Sequence, residues 1–333
     1  MKKINLVIGA NGHLGNNIVR VLLEKGETVL ASVRKPNNQK ALKGLDCQVT
    51  YADIMDRDTL VKAMEGVEVV YHAAAVYKSW AKDIKKEIID VNIEGTKNVL
   101  EAAKIQKVKK LIYISTSHTL DLNKAPLDES TWNNDFSDPY RMSKTEAEKA
   151  AWRLAKEYGL WMVSLLPTGI IGTNSYDHLT PTMEALLSIL QNKMPIDPCF
   201  NMNLVDVCDV ANAAYVAAEK GKNGERYLLG QEKPITTTEV FKLAHTLYPN
   251  VKIPIKSPNF MTYAMAASIE FICNILNKQP LMSKSQVRTF KSDPTCNISK
   301  AKLELNFNPQ EQTDIIKKSF RYLKEVIPSS KSN

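Results

Sequence analysis

The chain is poor in cysteine and has no long apolar run, and both shortages narrow what it can be. Its five cysteines are odd in number and never closely spaced. The sequence therefore predicts neither a disulfide framework nor a zinc cluster, and we expect a cytoplasmic protein in a reducing environment. No metal site is expected, because His13, His72 and His118 lack the spacing of metal ligands.

Two apolar stretches are too short or too polar to cross a membrane. The first, 4–8, follows two lysines as in a signal peptide but runs into glycines, which indicates a buried strand. The second, 260–276, contains Glu270 and Asn274 and falls short of the ~20 apolar residues of a spanning helix. It is predicted to be an amphipathic lid or a core helix. No integral membrane segment is expected.

The positive charge of the chain does not predict a nucleic-acid partner. Of the net charge of +8, much comes from residues 284–333, where lysines and arginines are spaced among acids. No aromatic platform for stacking bases accompanies them. A solvated basic face is the expected interpretation, in a chain whose 44% hydrophobic content is that of an ordinary globular protein.

Short apolar runs alternate with helical patterns through the first half of the chain. The predicted strands are 4–8, 28–33, 48–51, 68–71, 110–114 and 162–166. The predicted helices between them are 14–24, 59–64, 84–103 and 139–157. Strands separated by helices require right-handed crossovers. The sequence therefore predicts an α/β fold of the Rossmann type, with a doubly wound parallel sheet whose ligands bind at the carboxyl ends of the strands.

After residue 167 this alternation stops and prolines become frequent. Helices are predicted at 182–190, 207–219, 237–247, 260–276 and 311–326, with a strand at 226–229. We expect a smaller, mostly helical substrate lobe. The predicted division gives 1–168 with 203–230 to the Rossmann domain, 169–202 with 231–327 to the substrate-binding lobe, and 328–333 to a frayed tail.

Three glycines between the first strand and the first helix indicate a dinucleotide site. Gly9 permits a tight turn, Gly12 lets the backbone approach a pyrophosphate, and Gly15 lets the helix pack on the strand. The N-terminus of the helix offers N–H groups to the phosphates. The cofactor contacts predicted in this turn are Gly9, Asn11, Gly12, His13, Leu14 and Gly15.

The end of the second strand distinguishes the two nicotinamide dinucleotides. An acidic residue there usually holds the free ribose of NAD(H), whereas this chain has Arg34 and Lys35. Two cations suit a 2′-phosphate, so NADP(H) is expected and NAD(H) is the alternative. In that alternative Arg34 and Lys35 are only solvated loop charges. The other predicted contacts are Asp53 and Ile54 around the adenine, and Ala73, Ala74 and Ala75 after the fourth strand.

A tyrosine and a lysine one helical turn apart supply proton chemistry. Tyr140 and Lys144 are i and i+4, so they share a helix face. A neighbouring ammonium is expected to lower the pKa of the tyrosine toward the working range. A second pair of the same spacing, Tyr248 and Lys252, contains a proline and follows no serine-bearing strand. Position therefore selects Tyr140.

A hydroxyl after the fifth strand is expected to polarise a substrate carbonyl. Ser117 is the predicted residue, and Ser115, Thr116 and Thr119 are alternatives because spacing alone does not show which one faces the substrate. Asn92, unfavourable inside a helix, is predicted to hold a water that relays protons to Lys144. The alternative for Asn92 is simple surface placement.

These motifs make the chain resemble an extended short-chain dehydrogenase/reductase, and within it the dihydroflavonol-reductase-like branch. The other matching segments are 33–34, 90–96, 147–148, 167–172, 209–211, 224–227 and 305–309. The resemblance implies that Ser117, Tyr140 and Lys144 are catalytic and that Asn92 assists them.

The same resemblance implies that Pro167 and Thr168, continued by Gly169 and Ile170, contact the nicotinamide end of the cofactor. Two departures concern the substrate side. Leu166 stands where many relatives have arginine, and the first acid of 205–209 is displaced from its usual place. Substrate preference is therefore not transferred from the family.

The predicted activity is NADP(H)-dependent interconversion of a mainly apolar ketone or aldehyde and its alcohol, by a monomer or homodimer. The predicted substrate-lining residues are Tyr77, Trp80, Ser117, Ile171, Phe200 and Met202. Phe260, Met261 and Met265 are expected either to cover the pocket or to belong to the core of the lobe.

Two other functions use the same scaffold. A sugar-nucleotide epimerase or dehydratase is the first, but His118 and Thr119 stand where dehydratases carry an acid pair. A non-catalytic NADP-sensing protein is the second, and the presence of both Tyr140 and Lys144 argues against it.

Overall fold

A computed structural model describes most of the chain. The described residues are 3–35, 37–78, 80–175, 179–276, 278 and 283–326. The predicted tail 328–333 lies outside them.

The strands follow the predicted runs closely and add short pairs beyond them. In chain order they are β1 (Ile4–Ile8), β2 (Thr28–Val33), β3 (Gln48–Tyr51), β4 (Val69–His72), β5 (Lys110–Ile114), β6 (Met162–Pro167), β7 (Gly169–Ile171), β8 (Ile196–Asp197), β9 (Asn201–Met202), β10 (Leu204–Asp206), β11 (Arg226–Leu229), β12 (Ile235–Thr236) and β13 (Ile255–Lys256).

The helices occupy the segments between the strands and much of the second half of the chain. They are α1 (His13–Glu24), α2 (Arg57–Ala63), α3 (Asp90–Ile105), α4 (Pro139–Tyr158), α5 (Pro181–Leu190), α6 (Val207–Lys220), α7 (Thr237–Leu247), α8 (Asn259–Ile275), α9 (Lys284–Lys291), α10 (Ser299–Leu305) and α11 (Gln312–Val326).

Seven strands form one parallel sheet in the order β11-β6-β5-β4-β1-β2-β3. The chain moves outward from β1 in both directions, so the strand order reverses between β1 and β4. Ile8 at the end of β1 pairs with Ser32 of β2 and His72 of β4. The glycine turn after β1 therefore lies at the crevice where such sheets bind ligands. The predicted α/β fold of the Rossmann type is confirmed.

Side chains alternate between two cores, because successive residues of a strand point to opposite faces. On one face Val7 packs with Ile18 and Leu22 of α1 and with the alanines of α6. On the other face Leu6 and Ile8 pack with α2, α3 and α4. Helices therefore cover both faces of the sheet, as an all-parallel sheet requires.

The lobe has a separate apolar core. Ile171 of β7, Phe241 of α7 and Phe320 of α11 are buried together in it. Lys318 of α11 donates to Asp206 at 3.0 Å, and Asp206 also accepts from Cys208 N to begin α6. This acid therefore joins the lobe to the helix that packs on α1.

The predicted helix 84–103 differs from the observed one at its start. It begins with a π-helical turn (Lys85–Ile89) that leads into α3, and such turns are often found at functional sites. The sequence analysis missed α9 and α10, which are short.

The predicted division into domain and lobe stays a prediction. One segment assigned to the lobe packs with the Rossmann domain instead. Cys296, Ile298 and Leu305 were assigned to the lobe, yet they are buried in the core that contains α1 and α6. The isolated pairing of Cys296 with Leu127 contributes to this placement.

Candidate active site

The glycine turn after β1 is shaped so that larger residues would not fit. Gly9 has φ +87°, in the left-handed region. A Cβ on Gly15 would lie 2.1 Å from Gly9 O, and one on Gly9 would lie 3.0 Å from the Ala74 backbone. Gly12 begins α1, and no described side chain caps that helix. The turn thus has the close approach and the unshielded helix N-terminus that a pyrophosphate needs.

Two of the predicted cofactor contacts in this turn direct their side chains elsewhere. His13 Nε2 lies 2.8 Å from Thr173 O, and burial lowers the pKa of His13 to about 4. Asn11 donates to Asn38 O across the adjacent loop. His13 therefore connects α1 to the start of the lobe through Nε2.

The end of β2 lies against the glycine turn. Ala10 N donates to Ser32 O at 3.2 Å, and Arg34 and Lys35 follow directly, both exposed. They therefore occupy the edge of the sheet where the ribose of a dinucleotide is held.

The segments that follow β3 and β4 also lie at this end of the sheet. Some of their side chains are engaged in contacts within the protein. Asp53 Oδ1 accepts from Met55 N at 2.9 Å and shapes its own turn. Ile54 packs on α3, where a Cβ on Gly95 would come within 2.7 Å of it. The alanines 73–75 run along the glycine turn, with Ala73 N donating to Ile8 O at 3.0 Å.

Asn92 fastens the segment after β4 to α4. Its carbonyl accepts from Val76 N at 2.8 Å, and its amide donates to Val76 O at 3.1 Å and to Ser143 Oγ at 2.9 Å. The side chain is buried, so the alternative of surface placement is wrong. The water relay to Lys144 stays a prediction.

Tyr140 lies in the first turn of α4, which begins where the sequence favours a helix start. Asp138 accepts from Arg141 N at 2.9 Å, and Pro139 occupies the first helical position. Lys144, one turn further on, donates to Ile114 O at the end of β5 at 3.0 Å. Both side chains are buried.

The pKa values of this pair differ from the expectation. Burial, followed by the neighbouring Tyr77, raises the pKa of Tyr140 well above its usual value, while a hydrogen bond with Thr116 opposes the shift. Burial also lowers the pKa of Lys144 to about 8, against the influence of Glu148. The expected lowering of the Tyr140 pKa by Lys144 is therefore not found, and burial favours the protonated phenol.

The four candidate hydroxyls after β5 can be distinguished by their hydrogen-bond partners. Ser115 Oγ donates to Glu148 at 2.6 Å, and Thr119 Oγ1 donates to Thr116 O at 3.0 Å. Thr116 Oγ1 accepts from His118 N at 3.3 Å, and a hydrogen-bonding interaction with Thr116 opposes the rise that burial causes in the pKa of Tyr140. Ser115 and Thr119 are therefore engaged away from Tyr140, and Thr116 joins Ser117 as a candidate for the polarising group.

A buried ion pair lies directly behind these hydroxyls. Arg226 of β11 donates to Glu148 of α4 at 2.8 Å, with both side chains shielded from solvent. Glu148 also accepts from Ser115 and from Ser164 of β6. These hydrogen bonds and Arg226 hold the pKa of Glu148 below its usual value despite burial.

The same arginine reaches the loop that follows β5. Arg226 donates to Thr119 Oγ1 at 2.9 Å and to the carbonyls of Glu129 and Thr131 at 2.8 and 2.9 Å, and its guanidinium stacks on Trp132. The pair thus ties strands, helix and loop to one point under the site.

Aromatic rings flank Tyr140. The Tyr77 ring centroid lies 4.6 Å from that of Tyr140, and the His118 ring meets Tyr140 edge-on at 6.1 Å. Tyr77 also forms a hydrogen bond with Thr182 in the first turn of α5. Trp80 is half-buried further along the same loop. Tyr77 thus lies beside Tyr140, and its contact with a substrate stays a prediction.

The three lobe residues predicted to line the substrate pocket pack against other side chains of the lobe. Ile171 is fully buried in the lobe core, and Met202 packs against that core from β9. Phe200 stacks on Phe290 at 5.2 Å within a small separate cluster. Their contact with a substrate stays a prediction, because an apolar residue after a strand can face either the pocket or the core of the lobe.

The segment after β6 runs beside the sheet edge. Pro167 ends β6 and is buried, and Thr168 N donates to Leu229 O at 2.9 Å. Gly169 and Ile170 begin β7, which pairs in parallel with β10. Their contact with the nicotinamide end stays a prediction.

Comparison with known proteins identifies the family. The family model for the NAD-dependent epimerase/dehydratase family matches residues 5–230. The chain belongs to this family. Cinnamoyl-CoA reductase CAD2 of Medicago truncatula is 30% identical over 77% of this chain and 84% of its own. A bifunctional dihydroflavonol 4-reductase/flavanone 4-reductase of Malus domestica is 32% identical over 75% and 78% of the two chains.

Solved structures agree with the fold. The crystal structure of gox2253 superposes with a TM-score of 0.84 at 29% identity, covering 97% of this chain and 98% of that one. Yeast methylglyoxal/isovaleraldehyde reductase Gre2, complexed with NADPH, superposes with a TM-score of 0.77 at 21% identity over 97% and 98% of the two chains.

Within the NAD-dependent epimerase/dehydratase family, the chain lies in the dihydroflavonol-reductase-like branch of the extended short-chain dehydrogenases/reductases. It is an oxidoreductase of that type, and a nicotinamide dinucleotide is its cofactor. No helix in the described part of the chain is long and apolar enough to span a membrane.

Sequence reasoning gave no role to two residues of this site and left a third among its alternatives. Glu148 and Arg226 are matching positions of the family resemblance, but they were given no role. A signal was available for Glu148, which lies four residues after Lys144 and so on the same helix face. Thr116 was one alternative among four, and nothing in the spacing favoured it.

The buried pair generates a stability prediction. Arg226→Met leaves the Glu148 carboxylate buried without its partner, so the free energy of unfolding should fall by about 3–5 kcal/mol. Adding Glu148→Gln should restore part of the loss, because the neutral amide removes the buried charge, its carbonyl accepts from one of Ser115 and Ser164, and its NH2 group can donate to the hydroxyl of the other. Arg57→Met, which breaks an exposed pair with Glu101 at 3.3 Å, is the matched control and should cost less than about 1 kcal/mol. Urea unfolding measures all three, and equal losses for Arg226→Met and Arg57→Met would contradict this role.

Proposed function

We propose that the chain is an NADP(H)-dependent reductase that interconverts a mainly apolar ketone or aldehyde and its alcohol. The observation that carries the proposal is the meeting of Thr116, Tyr140 and Lys144 at the carboxyl edge of the sheet, next to the glycine turn. A hydrogen-bond donor, a protonated phenol and a cation at one edge are what carbonyl reduction requires.

The residues around the glycine turn fit the cofactor. Gly9 and Gly15 leave room for close approach of the backbone, and α1 presents its N-terminus. Arg34 and Lys35 are exposed directly after β2, and two cations suit a 2′-phosphate. The bound cofactor supplies the hydride. Under this proposal the segment Pro167 to Ile170 bounds the nicotinamide end.

The protein's own residues handle the proton. Because Tyr140 is held protonated in its buried position, it can give its phenolic proton to the carbonyl oxygen as that oxygen becomes an alcohol. Thr116, or Ser117 beside it, orients the oxygen by donating a hydrogen bond. Lys144, anchored on Ile114 O, places a positive charge near the phenolate that is left.

An apolar substrate is favoured by the rings around Tyr140. Tyr77 and His118 flank it, and burial lowers the pKa of His118 to about 4, so the imidazole is neutral. Such walls bind by apolar area removed from water. They offer no charge to a diphosphate, which argues against a sugar-nucleotide substrate.

Removing the two hydroxyls separately distinguishes acid from orienting group. Tyr140→Phe should lower kcat with an apolar aldehyde by about 10²–10⁴, because the proton donor is lost while the ring remains. Thr116→Val should cost about 10²-fold or more, as loss of an oxyanion donor does. Ser117→Ala is the matched control and should cost less than Thr116→Val.

Steady-state nicotinamide oxidation measures these rates. A Tyr140→Phe enzyme within about tenfold of wild type would contradict the proposed acid. A larger loss for Ser117→Ala than for Thr116→Val would return the role to Ser117.

Cofactor preference can be measured without a substrate. NADPH should raise the melting temperature more than NADH at equal concentration, since the stabilisation grows with ligand concentration over Kd. Arg34→Asp should reverse this order, because a carboxylate accepts from ribose hydroxyls and repels phosphate. Lys43→Asp, an exposed change of equal charge away from β2, should leave the order unchanged. A wild-type preference for NADH would show that Arg34 and Lys35 are solvated loop charges.

A further inference from the structure

Helix α8 buries small side chains and exposes large apolar ones, which is the reverse of an ordinary surface helix. Among its described side chains, those fully buried are the small Thr262 and Ala266. The Thr262 hydroxyl donates to Ser257 Oγ at 3.0 Å. Its large apolar side chains face outward, with Phe260 74%, Phe271 67% and Ile275 68% exposed. The sequence analysis expected a lid or a core helix, because an apolar pattern predicts the element and not the direction in which it faces.

The outward apolar side chains are concentrated on one helix. Eight of the large apolar side chains exposed in the described part of the chain lie on α8 or directly after it. They are Phe260, Met261, Tyr263, Met265, Phe271, Ile272, Ile275 and Leu276. Scattered apolar residues on a surface need no explanation, but a cluster on one helix marks an interaction site.

Most of the charge around this surface is positive. Exposed cations precede and follow the helix, and Arg288 lies on the neighbouring α9, 3.9 Å from Asp135. The other exposed cations are Lys252, Lys256, Lys278 and Lys284. Glu270 is the single acid between residues 252 and 288, and it accepts from Lys284 N at 3.0 Å. Apolar side chains bordered by cations complement a layer that is apolar within and anionic at its surface.

We propose that α8 docks the protein on the surface of a bilayer that contains anionic lipid. The helix lies in the plane of the interface, its phenylalanine, isoleucine and methionine side chains enter the acyl boundary, and the surrounding cations meet the headgroup phosphates. This is peripheral binding and does not require a spanning segment. The inference goes beyond the proposed reductase function and does not depend on it.

The docking surface adjoins an open cleft. Phe260 and Tyr263 line it from α8, and Val287 and Arg288 line it from α9. Asn123, in the loop that follows the candidate hydroxyls, lines the opposite side. An enzyme docked through α8 therefore opens this cleft toward the lipid, which suits a substrate that partitions into membranes.

Vesicle co-sedimentation tests the proposal. Wild-type protein should sediment with vesicles of phosphatidylcholine and phosphatidylglycerol, and about tenfold less with phosphatidylcholine alone, since the anionic surface contributes part of the binding. Phe271→Glu/Ile275→Glu should lower binding by about tenfold or more. Leu303→Glu, an equally drastic change at an isolated side chain 82% exposed on α10, should bind like wild type. The thermal shift with NADPH shows that each variant is folded.

A conservative variant covers the case in which the double variant does not fold. The emission of Phe271→Trp should shift to the blue, relative to wild type, when phosphatidylglycerol vesicles are added. Wild-type protein that ignores these vesicles, or an unshifted Phe271→Trp, would overturn the proposal. Light scattering that shows a wild-type dimer, made monomeric by Phe271→Glu/Ile275→Glu and indifferent to vesicles, would assign the surface to a second copy of the chain instead.

Discussion

The buried pair of Glu148 and Arg226 is the constraint on which the site depends. A charge taken out of water is tolerated only when it is paired and its remaining hydrogen bonds are satisfied. Glu148 meets this condition with Arg226, Ser115 and Ser164, and these partners come from three neighbouring strands. Arg226 in turn holds the loop after β5. The buried pair of Glu148 and Arg226 therefore positions the candidate hydroxyls without being one of the groups proposed to contact the substrate.

The chemistry above this pair follows from burial. Burial of Tyr140 disfavours the phenolate, and Lys144 donates to a backbone carbonyl. Under the proposed function this arrangement donates a proton, which is the direction of carbonyl reduction. Alcohol oxidation needs the phenolate, and the positive charge of an oxidised nicotinamide is the change that would favour it.

Period and position were enough to predict the sheet, the glycine turn and the Tyr140–Lys144 pair, because each is a local pattern with one structural solution. The hydroxyl was not predictable in the same way. Successive extended residues point to opposite faces, and the 3₁₀ turn (Ser117–Thr119) begins at this point, so Thr116 and Ser117 could not be ranked by spacing. The substrate-lining residues were not predictable for a different reason. Ile171 is as apolar as a substrate-lining residue, but the lobe core, assembled from distant segments, takes it.

Kinetics with a carbonyl series test the central claim most directly. The protein is mixed with NADPH and with aromatic, steroidal and aliphatic ketones and aldehydes, and with a nucleotide sugar, and nicotinamide absorbance is followed. The account predicts NADPH oxidation whose kcat/KM increases with the apolar area of the carbonyl compound, and no epimerisation of the sugar. Absence of turnover with every carbonyl compound, or efficient epimerisation of the nucleotide sugar, would contradict it.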